Sequence, residues 1–106
     1  MIQHDKLYIG GQWVPSVGQE SPSTVTSPAT EETIATVVRG TADDVNRAVQ
    51  AARDAFDSWS SRPVAERAAF LMKIHEGLKA RAADIAQAIT SEMGMPLKQS
   101  LRIQAG

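Results

Sequence analysis

The sequence predicts an α+β chain in which two β-hairpins are followed by three or four helices. Three observations carry that prediction. The first 40 residues are short β-branched runs punctuated by glycine and proline. The apolar period turns helical after Gly40. Helix-boundary residues then recur at Thr41, Pro63, Gly94 and Pro96. Strands and turns are expected over 6–40 and helices over 41–106.

The elements follow in order. Lys6-Leu7-Tyr8-Ile9, Gly10-Gly11 and Gln12-Trp13-Val14-Pro15 read as strand, tight turn and strand, because glycine tolerates the positive φ of a two-residue hairpin turn. Pro15 has no N–H and marks the end or edge of the second strand. Ser16 to Ser23 reads as a loop. Thr24-Val25-Thr26 and Thr33 to Val38, around the turn Ser27 to Glu32, suggest a second hairpin-like pair. His4 is expected in a tail.

Val45, Ala48, Val49, Ala52, Phe56 and Trp59 keep the i, i+3, i+4, i+7 spacing of one helix face over about Ala42 to Trp59. The Thr41 hydroxyl can accept from an early helix N–H, and Asp43 and Asp44 suit the positive helix end. Ser60-Ser61-Arg62 breaks this helix, and Pro63 is placed at the first position of the next. Val64, Ala68, Leu71, His75, Leu78, Ala82, Ile85 and Ile89 continue as one stripe over one helix or two. Gly77 weakens its middle by about 1 kcal/mol relative to alanine. Phe70 and Ile74 add a second apolar strip, which predicts partners on two sides. Gly94 suits the left-handed residue after a helix end, and Pro96 can open a last helix through Leu97, Leu101 and Ile103. The chain reaches Gly106 with neither a cap cluster nor a polar tail, which reads as a cut.

Composition narrows the function classes. The 106 residues are 42% hydrophobic and 22% charged, ordinary globular usage, with a net charge of -1. No basic field is present to draw nucleic acid or an anionic membrane. There is no cysteine, so thiolate catalysis, disulfides and cysteine-ligated metals are excluded within these residues. No apolar run is long enough to span a bilayer and no secretory pattern opens the chain, so a cytoplasmic location is expected.

Catalytic constellations are not found. Gly10-Gly11 lacks the G-x-G-x-x-G spacing and a following helix, so it reads as a turn and not a phosphate cradle. His75 has no His, Asp or Glu at i+4 and reads as structural. Glu31-Glu32 and Asp43-Asp44 are explained by a turn and a helix start. Trp13, Phe56 and Trp59 are expected as core anchors, and Met93 and Met95 as gap fillers. Nothing arranges a nucleophile, a base and oxyanion donors.

The order of pieces nevertheless resembles the start of the aldehyde dehydrogenase superfamily over essentially the whole chain. The matching stretches are Leu7 to Val14, Ser27 to Val37, Asp43 to Phe56 with Trp59, Arg67, and Glu92-Met93-Gly94-Met95-Pro96. The resemblance implies an α/β parent enzyme with a Rossmann-like cofactor domain. It implies an NAD- or NADP-dependent oxidation of an aldehyde to a carboxylic acid, with a cysteine nucleophile and a glutamate base. Those parts lie beyond the stretch covered here, so no catalytic or cofactor residue carries over. This chain alone is expected to be inactive and to bind no cofactor.

Its implied partner is the remainder of the dehydrogenase polypeptide, and the parent is expected to be a homo-oligomer. The competing class is a non-enzymatic, truncated or split-gene product used for interaction. Some family members hold a structural cation, and the matching positions are Val25 and Thr26, through their carbonyls, and Glu92, with a further ligand beyond Gly106. The chain departs from the family at Ser27, where Asn is frequent, and at Glu31, where Gly is frequent. A glutamate at positive φ there would be strained.

Overall fold

Two glycines in succession at positive φ, Gly10 at 61° and Gly11 at 81°, reverse the chain between its second and third strands. The computed structural model describes residues 1–18 and 21–106; positions 19 and 20 of the expected Ser16–Ser23 loop lie outside it. The strands are β1 (Ile2–His4), β2 (Leu7–Ile9), β3 (Gln12–Val14), β4 (Ser23–Thr26) and β5 (Thr33–Val37). The helices are α1 (Ala42–Ser60), α2 (Val64–Ala80), α3 (Ala82–Met93) and the short α4 (Leu97–Gln99), which runs into a π-helical turn at Ser100–Gln104. The α+β order expected from the sequence is the one observed.

The β2–β3 pair is antiparallel, with Leu7 opposite Val14, Tyr8 opposite Trp13 and Ile9 opposite Gln12. The expected second hairpin-like pair is present as the neighbouring strands β4 and β5, and β1 joins them in a three-stranded sheet of order β1-β5-β4. β1 runs parallel to β5, pairing Ile2 with Ala35, Gln3 with Thr36 and His4 with Val37. His4 is therefore a strand residue and not a tail, and its carbonyl accepts from Val38 N–H at 2.7 Å. A three-residue strand with one apolar side chain has no period to read, and its partner lies some thirty residues away. That pairing is invisible locally.

The chain groups into two units. The first comprises Met1–Val25 and Ala35–Ser61. In it the β2–β3 turn approaches α1, and a Cβ built on Gly10 would stand 3.7 Å from the Ala51 Cβ. The second comprises Thr26–Ile34 and Arg62–Gly106. In it the long apolar stripe is divided between α2 and α3 at Arg81, whose φ of -107° and ψ of 16° leave the helical region. The break falls there and not at Gly77, which α2 passes through. Pro63 precedes α2 as its cap residue at ψ 146°, one position earlier than expected. Pro96 does the same for α4.

The described core is very small. Ala35 and Ala86 are its buried apolar residues. No residue of α2 is buried, and Asp44 is the buried residue of α1. Trp13, Phe56 and Trp59 are exposed and so are not the core anchors expected of them. Phe56 and Trp59 keep the spacing of the apolar face of α1, and Trp13 packs against the Tyr8 ring at 5.0 Å between centroids. Leu71, Ile74 and Leu78 are 63%, 58% and 57% exposed. Full burial of one such side chain contributes roughly 1.5–3 kcal/mol, and more than half of that is unrealised here.

Candidate functional site

Asp44, in the first turn of α1, is held by several protein donors. Thr41 has extended backbone, and its hydroxyl accepts from the Asp44 N–H at 3.2 Å. The Asp44 carboxylate reaches back to accept from the Thr41 N–H at 2.9 Å, which completes a reciprocal capping box. The same carboxylate accepts from the Ser16 hydroxyl and from Val17 N–H at 3.0 Å, and it pairs with Arg47 Nη2 at 3.0 Å. Arg47 Nη2 also donates to the Pro15 carbonyl at 3.2 Å.

One side chain thus fastens the segment after β3 to the start of α1. Asp44 is only 2% exposed. The Ser16 hydroxyl, then the Thr41 and Val17 N–H groups, hold its carboxyl well below the usual carboxylate range, against the opposing effect of burial. With its acceptor positions taken by protein donors, the group is a structural tie rather than a base. The cap to Thr41 was readable from the spacing. The bonds to Ser16 and Val17 span 28 and 27 residues and left no local signal.

The second unit brings the turn after β4 to the end of α3. Ser27, buried, donates its N–H to Glu32 O at 2.9 Å and accepts from Glu31 N–H at 2.8 Å. Glu31 takes φ 63°, the left-handed conformation that its sequence position made doubtful for a glutamate. Gly94 ends α3 at φ 75°, and a Cβ placed on it would lie 3.0 Å from Pro28 Cγ. The ends of this stretch are also pinned by a hydrogen bond of 2.9 Å between the Thr90 and Ser100 hydroxyls, with Ser100 fully buried.

The sequence-derived cation positions fall on these elements. Val25 and Thr26 are the last two residues of β4, and Glu92 is the penultimate residue of α3. Within the second unit, the Gly94–Pro28 approach places the stretch holding Glu92 beside the stretch that follows Thr26. Glu92 is exposed. Val25 belongs to the first unit. Among the described residues no three His, Asp or Glu side chains gather as metal ligands, so any such site would depend on main-chain oxygens.

Gly10 and Gly11 form the hairpin turn and do not open a helix, so they do not fit a dinucleotide phosphate. No helix among the described residues is long and apolar enough to cross a membrane. Arg67, one of the residues that carry the resemblance, has its Nε buried without a hydrogen-bond partner.

Comparison with known proteins decides the family. The model of the aldehyde dehydrogenase family matches residues 13–105. The chain belongs to the aldehyde dehydrogenase family. A Staphylococcus aureus (strain USA300) protein named as an aldehyde dehydrogenase is 43% identical over 103 residues, which are 97% of this chain and 22% of that relative. The crystal structure of an aldehyde dehydrogenase from Bartonella henselae superposes with a TM-score of 0.94 at 34% identity, over 99% of this chain and 22% of that one. Aldehyde dehydrogenase C from Pseudomonas syringae, a mutant complexed with NAD+ and octanal, gives 0.91 at 40% identity over 95% of this chain and 21% of that one. The chain therefore spans about a fifth of the length of the aldehyde dehydrogenases it matches.

Proposed function

We propose that this chain is the N-terminal part of an NAD(P)-dependent aldehyde dehydrogenase that oxidises an aldehyde to a carboxylic acid, and that its own role is scaffolding. The observation that carries this reading is the match of nearly every residue to 22% of a dehydrogenase chain at a TM-score of 0.94. The uncovered faces of α1 and α2 agree with it, because helices without a core of their own need a larger body to pack against. The nicotinamide cofactor accepts the hydride in this reading, and the nucleophile that the chemistry needs is a residue outside the present sequence. This chain contains no cysteine to supply it. In this reading cofactor and aldehyde are bound by the rest of the polypeptide. A cytoplasmic homo-oligomer is the expected setting.

The first test is to read the gene past the codon for Gly106 and assay the product for aldehyde-dependent formation of NAD(P)H. A continuation that yields activity, with the 106-residue chain inactive and unable to bind NAD, supports the reading. A stop codon directly after Gly106, or tight NAD binding by the short chain, refutes it.

We also propose a structural cation held by the Val25 and Thr26 carbonyls and by Glu92, completed by a ligand further along the polypeptide. Oxygen donors of this kind suit a hard cation. Thermal stability of the longer protein should rise on titration with Na+, K+ or Mg2+ and lose that response in Glu92→Ala. Indifference of both proteins to all three ions would dispose of the site.

A further inference from the structure

We draw no further inference here: the strongest candidate, the exposed apolar face of α2 that carries Leu71, Ile74 and Leu78, carries nothing, because nothing in the structure shows what covers it beyond the larger polypeptide already proposed.

Discussion

Glu31→Gly should stabilise the protein, although it deletes a side chain. Glu31 sits at φ 63° in the turn between β4 and β5. For a residue with a Cβ, the left-handed region costs roughly 1–2 kcal/mol. The turn does not need the side chain, which is exposed. Its bonds run between main-chain groups, Ser27 N–H to Glu32 O at 2.9 Å and Glu31 N–H to Ser27 O at 2.8 Å, and glycine keeps both. Against the relief stands the extra freedom of glycine in the unfolded chain, roughly 0.5–1 kcal/mol. The net gain lies between about 0 and 1.5 kcal/mol, and its middle, about 0.75 kcal/mol, raises Tm by about 3–6 °C for a chain of this size. Thermal unfolding followed by circular dichroism reads this directly, and Glu31→Ala is the control. Alanine keeps the Cβ and so keeps the strain, and its Tm should stay near that of the parent. A Glu31→Gly protein no more stable than Glu31→Ala would refute the strain argument.

Thr41→Ala removes the cap of α1 and should cost about 1 kcal/mol, read as a lower denaturation midpoint in urea. Asp44 gives the protein an acid-sensitive joint. Its carboxyl is held below the ordinary value of 3.8 in the folded state, so the unfolded chain binds the proton more readily. That contribution is present above pH 3.8 and is lost as the pH falls below it toward the lowered value. Asp44→Asn should flatten the acid limb of a Tm-against-pH curve, and an unchanged limb would contradict the tie described here. Gly94→Ala combines a left-handed φ of 75° with a Cβ 3.0 Å from Pro28 Cγ, and should cost at least the roughly 1–2 kcal/mol of the backbone alone. Gly77→Ala, inside α2 where a Cβ meets nothing within 4 Å, should instead stabilise by about 1 kcal/mol, and a Gly94→Ala protein that is not destabilised would show that Pro28 and the backbone yield freely.

What the sequence disclosed, and what it withheld, divides by the range of the interaction. The Gly10-Gly11 turn, the Thr41–Asp44 box and the Gly94 stop each depend on a few neighbouring residues, so their chemistry is written where it acts. β1 and the ties from Asp44 to Ser16 and Val17 depend on partners 27 to 33 residues away, and no local pattern encodes a partner. The aromatic residues mark a third case. Phe56 and Trp59 have the spacing of a buried face, and periodicity reports which face is apolar without reporting what lies against it. Reading such a face as core assumes that the covering element is in the same sequence. For α1 and α2 that assumption fails among the described residues, and the failure is informative. In the proposed reading the apolar pattern belongs to a body larger than the one the described residues build, and the chain spans 22% of the dehydrogenases it matches.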